Sequence, residues 1–477
     1  MTTVDFLIFS GIGSAEETFH KTPSKPWRSI GPSKIANSLR NNGYTVQIIN
    51  FATLLTYEQL YKISKQYVGP KTLLGVSTTF LYSEYNSSNA YESLQTVVKQ
   101  LKQEVGSKVI LGGPSAHAYK TYFNADYIVN GYSENKILDL FDQIFNYGIK
   151  RKTRLDWDIK SCNHRWHESD RLQPGESIPL EIGRGCIFTC KYCKFDMLGK
   201  KRGEYVRDMS MIKDEIIENF EKYKITNYMI MDDTFNDDVY KLEDWCKMVD
   251  SLPFKIQYTA YCRADLLWRY QDMGRELYRT GLIGSTLGIE SMNTHASKVV
   301  GKAWSGKHAR DFVPYYIHDI CKGRTLTQIN FIIGLPGDTL DDIWSWVHWA
   351  KENKIPTVHA QPLVIRPPRL FPDDPVFSEF DKDAESTYGY SIPNDKRPYV
   401  WKNNIMTWFD ARKEYRKIYD YVSNNFCDLS WHGFSSLSLG YSVDEIQSTS
   451  LVKFYEDPVY TSRSQIWLDN YVESFNV

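Results

Sequence analysis

"GRGCIFTCKYCKFD", residues 183–196, places Cys186, Cys190 and Cys193 within eight residues, at the end of the apolar run "IPLEIG" (178–183). The chain has eight cysteines, and the other five (Cys162, Cys246, Cys262, Cys321, Cys427) stand singly, so a disulfide framework is not expected. Three thiols crowded after one strand read as metal ligands. A structural zinc site wants a fourth Cys or His, which Cys162, His164 or His167 upstream offers. An electron-transfer iron–sulfur centre takes four thiolates, one per iron. Three thiolates leave one iron of a 4Fe-4S cluster open to a small chelating ligand.

Outward from that turn the chain alternates strand and helix. Strands are read at "NYMIMDD" (227–233), "KIQYTAYCR" (255–263), "GSTLGIES" (284–291), "TQINFIIG" (327–334) and "TVHAQPLVI" (357–365), with helices such as "MSMIKDEIIENFEKYK" (209–224) and "DDIWSWVHWAKEN" (341–353) between them. Six such repeats fit an open barrel, and its ligands belong at the carboxyl ends of the strands. Those ends hold Cys186, Asp232, Asp233, Arg263, Glu290, Gly334 and Gln361.

Upstream, "VDFLIFS", "YTVQIINF", "TLLGVSTTF", "KVILGGPS" and "ADYIVNG" alternate with amphipathic segments such as "PSKIANSLRNNG" (32–43). Apolar strands interleaved with helices predict a doubly wound parallel sheet. Its carboxyl ends carry small residues: Ser10-Gly11-Ile12-Gly13, Ser77-Thr78-Thr79 and Gly112-Gly113-Pro114. The fold class is therefore α/β: a doubly wound domain (1–150), a polar linker (151–176), a partial (β/α)6 barrel (177–366) and a small, mostly helical C-terminal subdomain (367–477).

The 477 residues carry a net charge of −1, so no bulk basic field points to nucleic acid or an anionic membrane. The basic cluster "KKRGEYVR" (200–207) reads as a solvated face or as a contact for a phosphate-bearing substrate. No stretch approaches the roughly 18 apolar residues of a membrane span, and no signal peptide is visible. A cytoplasmic location is expected, where thiols stay reduced.

The spacing CxxxCxxC after the first strand of such a series resembles the radical S-adenosylmethionine (radical SAM) enzymes. "MDDTFNDD" (231–238), "YTAYCRADLL" (258–267), "GLIGSTLGIES" (281–291) and "FIIGLPGDTLDDI" (331–343) are similar to the core segments of the subfamily with an N-terminal cobalamin-binding domain. "RSIGPSKIANSLRNNGYTVQIINF" (28–51) and "VILGGPSAHAYKTYFNADYIVNGYSENKILDLF" (109–141) are similar to that domain. The likeness runs from about residue 4 to 365.

The resemblance implies a 4Fe-4S cluster on Cys186, Cys190 and Cys193, shielded by Phe188 and Tyr192, whose open iron binds S-adenosyl-L-methionine (SAM). Reductive cleavage of the sulfonium would yield a 5′-deoxyadenosyl radical. Asp232, Asp233 and Thr234 stand where the family often has Gly-Gly-Glu; either aspartate would accept the SAM ammonium, with a helix cap as the alternative for Thr234 and Asn236. Arg263 is assigned the SAM carboxylate or a structural ion pair. Glu290 is assigned the ribose hydroxyls, Gly334 and Gly337 a close backbone approach, and Gln361 a place along the SAM site. Ser77, Gly112 and Gly113 match the cobalamin-binding pattern loosely. Its usual Asp-x-His-x-x-Gly is absent, and the nearest histidines are His20 and His117.

The leading expectation is a cobalamin-dependent methyltransferase acting on an unactivated carbon of a small molecule, reduced by a flavodoxin- or ferredoxin-type protein. A cobalamin-free enzyme abstracting a substrate hydrogen, for rearrangement or oxidation, is the alternative. A non-catalytic iron–sulfur or zinc module would not need the Asp232, Glu290 and Gly334 set. With no second cysteine cluster in the sequence, an auxiliary iron–sulfur centre is not expected.

Overall fold

The computed structural model describes residues 3–11, 26–81, 91–145, 154–195, 197–302, 304, 306–372, 374, 376–394, 400–427 and 431–476, the side chains of 431–434 excepted. The chain divides into two compact units: 1–179 with 214–225 and 461–477, and 180–213 with 226–460.

The first unit is built on five parallel strands, β1 (Phe6–Ser10), β2 (Val46–Ile49), β3 (Leu73–Ser77), β4 (Val109–Gly112) and β5 (Tyr127–Val129), in the order β2-β1-β3-β4-β5. Helices on both faces explain why β1 and β2 are buried at every position. On one face Phe6, Ile8, Leu39, Tyr44 and Phe141 form a core in which Phe6 and Phe141 meet edge to face at 5.1 Å. Strand order reverses between β1 and β3, the crevice where doubly wound sheets hold ligands. Register sets Ser10 beside Ser77 and Ser77 beside Gly112, a row of small residues along that edge.

The polar stretch expected to be a linker is instead packed into this unit from residue 154 onward. Asp170 is buried and pairs with Arg40 at 2.8 Å; Glu176 pairs with the fully buried Arg28 at 2.5 Å. Charges that read as solvent-facing are pinned by arginines far earlier in the chain.

The second sheet has six strands in sequential order: β6 (Ser177–Glu181, which enters the second unit at Leu180), β7 (Asn227–Met231), β8 (Gln257–Cys262), β9 (Leu282–Glu290), β10 (Leu326–Ile333) and β11 (Thr357–Pro362). Pairing from β7 to β11 is parallel. Such an array, with helices between strands, is the expected half-barrel.

The C-terminal region is divided rather than a subdomain of its own. Residues up to 460 belong to the half-barrel unit, and 461–477 to the first. The cause is an aromatic stripe at helical spacing. Phe51 meets Trp467 at 4.9 Å and Tyr471 at 5.0 Å, and the Asn50 N–H donates to the Tyr471 hydroxyl at 2.8 Å. Among the described residues, no helix is long and apolar enough to cross a membrane.

Candidate active site

The loop after β6 doubles back on itself. The Cys186 N–H donates to Met197 O (2.8 Å), Gly199 N–H to Cys186 O (2.9 Å), and Cys193 N–H to Cys190 O (3.0 Å). The three cysteines thereby share one cavity of ≈ 170 Å³ with side chains from the ends of β7 to β10, among them Thr234, Tyr261, Arg263, Glu290 and Asn330. Cys186 Sγ lies 3.1 Å from Thr234 Oγ1 and accepts from Phe188 N–H at 3.4 Å. The Arg263 guanidinium donates to Cys190 Sγ at 3.4 Å and lies 3.8 Å above the Phe188 ring.

All eight cysteines are unpaired in disulfides. Burial pushes the Cys186 thiol up and the Cys193 thiol up to about 11. Among the described residues, no three His, Cys, Asp or Glu side chains converge on a single ion position. Sulfurs that surround a cavity without converging suit a group larger than one ion, with one thiolate to each iron.

Glu290 reaches the cavity through a bulge. Asn330 pairs with Gly288 but Phe331 with Glu290, so β9 carries one extra residue. Glu290 sits at φ +66°, a left-handed conformation that costs roughly 1 kcal/mol or more off glycine. Bulges re-aim side chains next to active sites. Its Oε1 accepts from the Tyr192 hydroxyl (2.6 Å) and from Lys302 Nζ (2.8 Å). Gly288 leaves room beneath them: a Cβ there would press on Glu290 Oε1 and lie 2.9 Å from Lys302 Nζ, so both side-chain ends would have to shift. Burial, then the Glu290 charge, holds the Tyr192 phenol well above its usual range, so it stays a donor.

The other expected site residues divide. Asp233 lines the cavity and accepts from Gly185 N–H at 2.6 Å. Asp232 turns away: its carboxylate pairs with buried Lys241 at 2.9 Å and accepts from Thr234 N–H at 3.1 Å. Burial works against the Lys241 charge, but Asp232 and Asp237 together hold it above the usual lysine range. Arg263 is paired with Asp265 through two hydrogen bonds of 3.0 and 2.8 Å, the structural alternative foreseen for it, while one nitrogen stays on Cys190. The Gly334 carbonyl accepts from the Tyr390 hydroxyl at 2.7 Å, with Trp401 against its Cα, and the Gly337 carbonyl accepts from Asn293 at 3.2 Å. Gln361 is exposed beside His359. Neither glycine, nor Asp232, nor Gln361 is among the residues lining the cavity.

In the first unit, Ser77 and Gly112 occupy the edge row, and Ser77 Oγ lies 3.4 Å from Thr79 Oγ1. Gly113 has φ +102°, and a Cβ there would lie 2.9 Å from Thr79 N; the β3 and β4 ends close on each other, with the Thr78 hydroxyl donating to Gly112 O at 2.9 Å. His117 bonds to Asn130 at 2.7 Å. His20 lies outside the described residues.

Residues 180–350 match the Radical SAM superfamily. The match covers a little over a third of the chain and falls on the six-stranded sheet and its cysteine loop. The superfamily uses a 4Fe-4S cluster and SAM. Over 313 residues the chain is 23% identical to bacteriochlorophyllide d C-8(2)-methyltransferase of Chlorobaculum tepidum, covering 61% of this chain and 65% of that relative. In three dimensions it resembles the radical SAM methyltransferase TsrM from Kitasatospora setae, solved with tryptophan and a SAM analogue, with TM-score 0.63, 14% identity, and coverage of 98% of this chain and 99% of that one. The cobalamin-dependent radical SAM enzyme OxsB, solved with aqua-cobalamin and SAM, superposes with TM-score 0.52 and 15% identity over 72% of this chain and 52% of that one. The fold is therefore of the kind seen in TsrM and OxsB, with a five-stranded and a six-stranded sheet.

Lys302, Asn330, Tyr261 and Thr286 line the radical SAM cavity but were not expected from the sequence. A signal for three of them existed. Tyr261, Thr286 and Asn330 break the apolar runs of parallel strands at alternate positions, which marks the face turned away from the helices.

Proposed function

We propose that this radical SAM enzyme is a cobalamin-dependent methyltransferase acting on an unactivated carbon of a small molecule. The observation that carries the reading is the cavity that Cys186, Cys190 and Cys193 share with the ends of four half-barrel strands. The small-residue edge at the β1–β3 crevice supports a corrin in the first unit, with Ser77, Gly112 and Gly113 as the residues against it. Two of the relatives are named as methyltransferases and the third as cobalamin-dependent, which supports the same reading. When loaded, the cluster supplies the electron for reductive cleavage of SAM, and the corrin carries the methyl group.

The chain's own residues bind, orient and exclude water. Cys186, Cys190 and Cys193 hold three irons, and Phe188 and Tyr192 cover the loop between them. Asp233 and Thr234 take the SAM ammonium from the β7 end. Glu290, with Oε1 occupied by Tyr192 and Lys302, keeps Oε2 for the vicinal ribose hydroxyls. Glu290→Gln is expected to weaken SAM binding about tenfold, the loss of roughly one charge-assisted hydrogen bond, with iron content unchanged. Equilibrium dialysis with labelled SAM reads this, and equal affinity would return Glu290 to a role in fixing the loop.

The deciding experiment is anaerobic reconstitution with a flavodoxin- or ferredoxin-type reductant, followed by mass analysis of the SAM products. S-adenosylhomocysteine together with bound corrin in the visible spectrum supports methyl transfer. The absence of Asp-x-His-x-x-Gly is equally compatible with corrin bound without a histidine ligand and with a second reading, hydrogen abstraction without cobalt. 5′-Deoxyadenosine without corrin would establish that one instead.

A further inference from the structure

The segment 378–390 lies against the cysteine loop, and its contacts are charge-matched. Lys191 and Lys194 directly follow Cys190 and Cys193. Lys191 pairs with Glu379, and Lys194 pairs with fully buried Asp381 at 2.8 Å. Between these pairs the Phe380 N–H donates to Lys191 O at 3.0 Å.

The segment is itself firmly set. Ser378 and Asp381 cap the helix Glu379–Asp383 reciprocally, and Asp381 also accepts from Arg366 N–H at 2.5 Å. Phe380 is buried and stacks on Tyr388 at 4.2 Å, and the Tyr388 hydroxyl donates to Glu379. Tyr390 then reaches the Gly334 carbonyl. One strap thus spans from the cysteine loop to the end of β10. The nearby Arg366 is balanced by Asp374 at 2.6 Å and Arg369 by the strap's Glu385 at 3.1 Å, so the two lysines are the charges that Glu379 and Asp381 answer.

We propose that this strap sets the charge around the bound cluster. Glu379 and Asp381 cancel the two lysines of the cysteine loop and so hold the cluster's reduction potential low. The inference rests on the cluster assignment above. Potentials of iron–sulfur clusters follow net charge, hydrogen bonding to sulfur and exposure. Two uncompensated cations beside the thiolates would favour the reduced, more negative cluster and raise the potential. Packing alone does not ask for a one-to-one match of acid to lysine, and Lys191 and Glu379 keep 36% and 37% of their side chains exposed.

Glu379 and Lys191 are positioning residues, tested in the full chain by a redox titration of the reconstituted cluster followed by electron paramagnetic resonance. Glu379→Gln keeps the side-chain shape and should shift the midpoint to more positive potential. Lys191→Gln should shift it to more negative potential, and the double variant should return near the unsubstituted value. Midpoints that stay put, or that move in the same direction in both single variants, would overturn the inference. Cluster loss in Glu379→Gln that the double variant restores supports the pairing; loss that it does not restore counts against it. If the unsubstituted protein takes up no iron, the cluster assignment itself fails, a result distinct from a loaded cluster whose potential ignores the strap.

Discussion

Cys190→Ala is expected to reduce reductive SAM cleavage to background, measured as 5′-deoxyadenosine after anaerobic reconstitution. Each of the three thiolates anchors a separate iron, so no neighbour can stand in for the missing one. The loop should survive the change. Its backbone hydrogen bonds run through Cys186, Met197 and Gly199, and Arg263 keeps Asp265 and the Phe188 ring when Cys190 Sγ is gone. What is lost to folding is one partly exposed thiol, worth roughly 1 kcal/mol or less. A thermal midpoint close to that of the unsubstituted protein therefore accompanies the lost activity. Cys427→Ser is the control: its Sγ sits 3.3 Å from Pro356 O, far along the chain from the cysteine loop, and serine keeps a donor there. That variant should retain iron and cleavage. Cleavage persisting in Cys190→Ala would remove the cluster from these three residues.

The strands and their order were legible because parallel strands are apolar runs, and because a six-repeat βα series has few ways to pair. The cavity was legible through its cysteines, whose spacing is a local signal, and through the rule that places ligands at strand ends. What stayed hidden was set by distant partners. Asp232 and Asp233 are adjacent and chemically alike, yet only Asp233 lines the cavity, because Lys241 takes Asp232. A hint lay in the helix Val239–Asp250: Lys241 shares the buried face with Trp245 and Met248, where a lysine needs an acid. The bulge that turns Glu290 inward is marked only by Gly288, an isolated glycine in a strand pattern, which does not say which way the next side chains turn. Nor does the strap: Glu379 and Asp381 look like ordinary acids at a helix start until the fold brings them to lysines nearly two hundred residues earlier.

Asp338→Asn is expected to stabilise the half-barrel unit, increasingly as pH rises from 4 to 8. Asp338 follows Gly337 at the end of β10, and its side chain is fully buried. Oδ1 accepts from Ser291 Oγ at 3.0 Å, while Oδ2 is buried with no hydrogen-bond partner. Burial first, and then the nearby Asp342 charge against the help of Ser291, pushes its carboxyl from 3.8 up to about 8. Below pH 4 the carboxyl is neutral in both folded and unfolded chains, and it exerts no linkage. Between about 4 and 8 the unfolded chain ionises while the folded one keeps its proton, so each pH unit lowers stability by about 1.4 kcal/mol. Above 8 both forms are ionised, and the full loss has been incurred. Asparagine keeps the acceptor for Ser291 and never ionises, so the variant escapes this loss. Its advantage should be a few tenths of a kcal/mol at pH 4 and about 4 kcal/mol at pH 7, which is on the order of 10 °C in the midpoint of a unit this size. Thermal melts of both proteins across pH 4 to 8 measure the gap. A gap of the same size at both ends would mean that asparagine acts through packing, and the proton would have no part in it.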